Sequence, residues 1–174
     1  MRLPIVLLIL TASAVALAET AGGVSWKAPS VWKSQGSRPM RAATYAVPAA
    51  PGDAEAGECA VFYFGPGQGG GIEDNIKRWI GQFEQPDGRP SSSVAQIRKN
   101  TIGNLPVSMI DLSGSYTGGG GPMAAAKVSK PGYRLLGAIV PGPDGAVFFK
   151  FTGPAKTVAA HQAAFQQMLQ SLGR

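Results

Sequence analysis

The stretch Val94–Leu112 reads VAQIRKNTIGNLPVSMIDL. Two strand-like runs, Val94–Ile102 and Leu105–Leu112, flank Gly103-Asn104, a dipeptide suited to the two-residue turn of a tight β-hairpin. A second unit of the same kind follows, with Tyr133–Val140 and Ala146–Thr152 on either side of Pro141–Gly145. Within it Val147, Phe149 and Phe151 alternate with Phe148 and Lys150, the period-two pattern of a half-buried strand. Hairpins in series exclude a repeated strand–helix–strand crossover, and with it a doubly wound parallel sheet. The expected class is α+β, an antiparallel sheet flanked by helices.

Upstream of these hairpins the pattern predicts strands over Met40–Val47 and Cys59–Phe64, the latter apolar enough to be buried on both faces. Ile72, Ile76, Trp79, Ile80 and Phe83 recur at helical spacing, which predicts an amphipathic helix over Ile72–Phe83. On its other side Glu73 and Lys77, and Asp74 and Arg78, stand four residues apart in the favourable order. A last helix opens at Gly153-Pro154, where proline fits the first turn, and turns Val158, Phe165, Met168, Leu169 and Leu172 inward. Gly114–Gly132 reads as a long loop.

Composition narrows the chemistry. The 174 residues include 24 Gly and 14 Pro, one Cys and one His, with a formal charge of +6. A single Cys forms no disulfide within the chain, and one Cys with one His builds no zinc cluster. Apolar residues make up 44% and charged ones only 15%, so the chain can build a core. Cys59, inside a strand pattern, reads as a small core hydrophobe.

Met1–Ala18 has the form of a secretory signal: Arg2, an apolar Leu3–Leu10, and the small-x-small pattern Ala16-Leu17-Ala18. Cleavage is expected before Glu19, the alternative being an uncleaved N-terminal anchor, with Glu19–Ser25 a flexible leader and residues 26–174 one domain. The apolar run is too short for a comfortable membrane span, and no other long apolar run follows. The expected location is secreted or periplasmic, with no integral membrane span after cleavage.

Gly65-Pro-Gly67-Gln68-Gly69-Gly70-Gly71 follows a strand, opens a helix and formally contains G-x-G-x-x-G. A dinucleotide site would need an acidic residue closing the next parallel strand, whereas Asp87 sits in a Pro/Gly/Ser loop. No Lys-Ser/Thr pair follows, so a phosphate-binding P-loop is excluded as well. The segment reads as a structural turn with some capacity for an anion at the helix start. His161 lies on the inner edge of the last helix, where a hydrogen-bonded, half-buried role is expected. No G-x-S-x-G elbow accompanies it. Asp111 alternates with Ile110 and Leu112, which assigns it to the solvent face. The basic residues are dispersed, with no interleaved aromatics to stack bases, so no nucleic-acid partner is expected.

Several segments then support a resemblance. Trp26–Trp32, Met40–Tyr45, Val61–Phe64, Asn75–Trp79 and Phe148–Pro154 resemble exported bacterial proteins, and their order is similar to the PsbP-like α/β/α sandwich. The resemblance implies helices on both sides of a central antiparallel sheet over residues 24–173. It also implies a mostly non-catalytic role, as extrinsic photosystem subunit, assembly factor or binding partner. No family metal site is matched residue by residue, so neither a metal nor another cofactor is carried over.

The function expected is therefore that of an exported, non-enzymatic scaffold or binding domain. It would recognise an unidentified protein or envelope component through its glycine-rich loops, with no oligomeric state assigned. The contact residues proposed are Gly67, Gln68, Gly69, Gly70, Gly71, Tyr116, Lys127 and Lys130, because recognition commonly sits on loops over a rigid scaffold. The alternative is a small-ligand or anion-binding module using the Gly65–Gly71 loop at a helix N-terminus.

Overall fold

The computed structural model describes residues 18–118 and 129–174. The signal-like segment lies outside them except for Ala18, as do residues 119–128 and with them Lys127.

The Gly103-Asn104 turn has positive φ at both central residues, +55° and +62°, the geometry that matches the twist of the strands it joins. Those strands are β7 (Gln96–Ile102) and β8 (Leu105–Tyr116), paired antiparallel from Gln96–Asp111 to Ile102–Leu105. The second hairpin joins β9 (Lys130–Gly142) to β10 (Gly145–Pro154). β8 and β9 are longer than their apolar patterns indicate and pair as far as Tyr116 with Lys130. The loop expected over Gly114–Gly132 is therefore shortened by paired strand at both ends.

Upstream lie β1 (Ala18–Ala21), β2 (Val24–Lys27), β3 (Lys33–Ser34), β4 (Arg41–Val47), β5 (Gly57–Tyr63), α1 (Ile72–Ile80) and β6 (Phe83–Glu84). After β10 come α2 (Ala155–Ala160) and α3 (Gln162–Gln170). One eight-stranded sheet runs β3-β4-β5-β10-β9-β8-β6, with β7 also on β8, and every pairing within it is antiparallel. The expected α+β class is what the molecule adopts.

Two corrections concern the ends of the first segments. Residues 19–25, expected as a leader, form a hairpin: β1 pairs with β2, and Val24 and Trp26 are buried. The anchor is a polar chain, in which Trp26 Nε1 donates to Tyr45 Oη at 2.8 Å and that hydroxyl donates to Glu19 Oε1 at 2.7 Å. The second correction is to β5, where Cys59, Ala60 and Val61 are buried but Glu58, Phe62 and Tyr63 are only partly so.

Alternation divides the sheet's side chains between two cores. Toward α2 and α3 point Cys59, Val61, Leu136, Ala138, Val147, Phe149 and Phe151, meeting Val158, Phe165, Met168 and Leu169. Toward α1 point Ile110, Leu112, Leu135, Ile139 and Phe148, meeting Ile76, Trp79 and Phe83. β10 is thus covered on both faces, and Phe148 is buried, contrary to the half-exposed strand its alternation suggested. The two covers differ in extent. The nine residues of α1 span only about 14 Å. Much of the sheet on that side is left to polar and aromatic side chains, and this asymmetry positions the site.

Candidate functional site

Gly65–Gly71 carries the chain from β5 into α1. Positive φ at Gly65, Gly67, Gly69 and Gly70 gives the segment a path that other residues would resist. Asn75, buried in the first turns of α1, clamps the loop by donating from Nδ2 to the carbonyls of Gly69 at 2.7 Å and Gly71 at 2.9 Å. The Gln68 amide closes onto the Gly65 carbonyl. Gly69 sits against the rings of Phe64 and Phe148, while Gly67, Gln68, Gly70 and Gly71 face solvent. The acid–base pairs expected on α1 do not close: neither Glu73–Lys77 nor Asp74–Arg78 is among the ion pairs of the described residues.

Beyond Phe64 and Phe148 the α1 side opens into a recess of about 160 Å³, lined also by Phe62, Asn75, Arg78, Trp79, Gln82 and Lys150. Lys150 reaches it from β10. Its Nζ donates to Gln82 Oε1 at 2.5 Å and to Tyr116 Oη at 3.2 Å, and stands 5.3 Å from the centre of the Tyr116 ring. Burial pushes the ammonium down to about 8, with Glu58 opposing the shift and Arg41 adding to it. Glu58 itself is held by Arg41 at 2.9 Å, so its charge is already matched.

From Tyr116 the arrangement continues along the sheet. The Tyr116 and Tyr133 rings stack with centres 6.0 Å apart, and Tyr133, Lys130 and Glu55 form a hydrogen-bonded trio at the rim. Desolvation raises both tyrosine hydroxyls, and Lys130 and Glu55 stabilise each other's charged forms. Of the residues proposed from sequence, Gly69 borders one end of the recess while Tyr116 contacts Lys150 and leads to Lys130 at the other. Gly67, Gln68, Gly70 and Gly71 form the outer edge of the first border, and Lys127 lies outside the described residues. Sequence reading missed Lys150, Gln82, Phe62 and Tyr133. The one available signal was Lys150 itself, a lone cation inside the apolar run Val147–Phe151.

The other proposed chemistry resolves into structure. His161 Nδ1 accepts from Trp32 Nε1 at 3.2 Å, and Nε2, 3.1 Å from the Pro48 carbonyl, is then the protonated donor. Both ring nitrogens are thus occupied. Asp111 is not on an open solvent face: it lies on the α3 side, half-buried, in a two-point pair with Arg134 at 2.8 and 2.6 Å. Cys59 is fully buried, and desolvation raises its thiol. No cluster of metal-ligating side chains occurs among the described residues, and no helix there is long and apolar enough to cross a membrane.

The sequence matches no protein-family profile and no curated protein. By structure the chain is similar to the cyanobacterial PsbP, CyanoP, of Synechocystis sp. PCC 6803, at 9% identity and a TM-score of 0.50, over 94% of this chain and 97% of that one. It also aligns with PA94 of Pseudomonas aeruginosa, a protein of unknown function, at 13% identity and a TM-score of 0.46, over 91% of this chain and 96% of that one. The fold is PsbP-like, as the segment order suggested.

Proposed function

We propose that the protein is an exported, non-enzymatic binding domain that holds a partner protein or envelope component against the α1 side of its sheet. The observation that carries this reading is the meeting of its two sequence-marked borders on one recess, the Gly65–Gly71 loop at one end and the Tyr116–Lys130 edge at the other. A recess of about 160 Å³ is below the roughly 300–1,000 Å³ of pockets that enclose whole small molecules. It suits a single anchoring group, with the rest of the partner resting on the loops around it. The clamp from Asn75 supports the same reading, because a loop held in one conformation loses less entropy when a partner docks. Export is supported by the Met1–Ala18 pattern.

A photo-crosslinking residue placed at Gln68 or Arg78, both exposed, should trap the same species in the envelope of the native host, and excess unlabelled protein should suppress it. The same residue at Gln166, exposed on α3 across the sheet, should trap none of it. Equal labelling from Gln166, or none from Gln68 and Arg78, defeats the reading.

A further inference from the structure

Among the described residues Lys150 is a half-buried lysine with no carboxylate partner. All ten side-chain carboxylates lie among the described residues; residues 1–17 and 119–128 contain none. None of the ten comes within 4.0 Å of Lys150 Nζ. The nearest candidate by its electrostatic effect, Glu58, is committed to Arg41. Lys150 is half-buried, and a cation partly withdrawn from water is ordinarily matched by a carboxylate, since the desolvation cost is large. Here the ammonium has only a neutral amide oxygen and a phenol as partners. The recess that it enters is lined by a second cation, Arg78, by four aromatic side chains and by no acidic residue.

Resting on the reading of the α1 side as a binding face, we propose that this recess takes a carboxylate borne on a short apolar stem, with Lys150 as its counter-ion and Arg78 at its lining. The aromatic walls require the stem: Phe62, Phe64, Trp79 and Phe148 offer apolar surface to whatever carries the charge. Size sets the limit, because a cavity of ~150 Å³ holds a benzene ring, and the recess here is of that order. A phosphate or sulfate would satisfy the charge but leave the aromatic walls uncovered. The chemistry fits both a peptide's acidic side chain or terminus and a free organic acid.

The test uses the full exported protein with benzoate, its neutral isostere benzamide, and N-acetylphenylalanine as a mimic of a peptide terminus, followed by NMR. Benzoate or N-acetylphenylalanine should saturably shift the resonances of Lys150, Tyr116 and Trp79, and bind about tenfold or more tightly than benzamide. The titration midpoint of the Lys150 ammonium should rise when the acid is present, because the bound anion favours the charged form. Glu58, Arg41, Arg78, Tyr116 and Tyr133 are the other ionisable groups around it, and the shift is read at Lys150 itself. Lys150→Met should lose about tenfold in affinity. Preference for N-acetylphenylalanine assigns the carboxylate to a peptide, and preference for benzoate assigns it to a free acid. Equal binding of benzoate and benzamide, or a Lys150 midpoint unmoved by either acid, overturns the proposal. Crosslinks from Gln68 and Arg78 without acid binding would leave the docking face standing and remove its anion. Acid binding without crosslinks would do the reverse.

Discussion

Lys150 shows how a single side chain can be placed against its own preference. A lysine whose ammonium falls from 10.5 to about 8 on folding stays protonated in the unfolded chain over that interval, while the folded chain releases the proton. The contribution of Lys150 to stability is therefore at its worst below pH 8, where both states are charged and only the folded one is desolvated. It improves as pH rises toward 10.5. The shift corresponds to about 3 kcal/mol. Lys150→Met keeps the length of the stem and removes the charge, at the loss of two hydrogen bonds. It should raise stability by about 1–3 kcal/mol at pH 7, and its advantage should shrink between pH 8 and 10.5. Urea denaturation of both proteins across that range checks it, and the difference between them removes the contribution of Tyr45, Tyr116 and Tyr133. An advantage that stays constant with pH would mean that Lys150 is hydrated in the folded state.

At the level of elements, the position of α1 depends on a residue with no side chain. A β-carbon built on Gly137 of β9 would stand 2.4 Å from Trp79 Cζ3 and 2.8 Å from Ile110 Cγ2, so the indole rests directly on the strand. Gly137→Ala would push Trp79 outward, separating the helix from the sheet at the recess wall. The expected cost is about 1–3 kcal/mol, with a shift in tryptophan fluorescence as the indole meets water. An unchanged spectrum and stability would show that the helix yields at no cost.

This contact also marks what the sequence could tell. The apolar stripe of α1 and the alternation of β10 were legible, because each is a property of one element with a fixed period. The pairing of Trp79 with Gly137 was not, since the two are brought together only when α1 lies across β9. The same holds for the site. Gly69 and Tyr116 lie in glycine-rich segments that local composition marks. Gln82, Phe62 and Tyr133 have no local pattern: the register of β5, β10, β9 and β8 brings Phe62 and Tyr133 to the side of Lys150, and a backbone bond from Thr117 N to the Gln82 carbonyl holds Gln82 there. Alternation alone puts Lys150 on a solvent face, whereas α1 and Tyr116 cover that side of β10.

For the whole molecule the question is where the folded unit begins. Residues 19–25 are expected as a leader, and they contain the pair Gly22-Gly23. In three dimensions that glycine pair makes the hairpin turn, with φ of +58° and +72°. The turn is also wedged against the β9–β10 hairpin: the Gly22 carbonyl accepts from Asp144 N at 3.1 Å, and a β-carbon on Gly23 would strike Pro143. β2 in turn reaches the C-terminus through Ser25 and Gly173, which exchange backbone hydrogen bonds at 2.8 and 3.0 Å. The first strands therefore tie together β4, the second hairpin and the chain's end, and they belong to the larger core. A chain beginning at Ser25 would lose the buried Val24 side chain, leave the Tyr45 hydroxyl without Glu19 and free the β9–β10 turn. Burial and hydrogen bonding together put the loss at about 3–5 kcal/mol, compared with the chain beginning at Glu19. Thermal and urea unfolding of the two proteins would measure it. A difference below about 1 kcal/mol would restore the leader reading and confine the fold to residues after Val24. The expected loss puts the start of the folded unit at or before Glu19, whose carboxylate accepts from the Tyr45 hydroxyl.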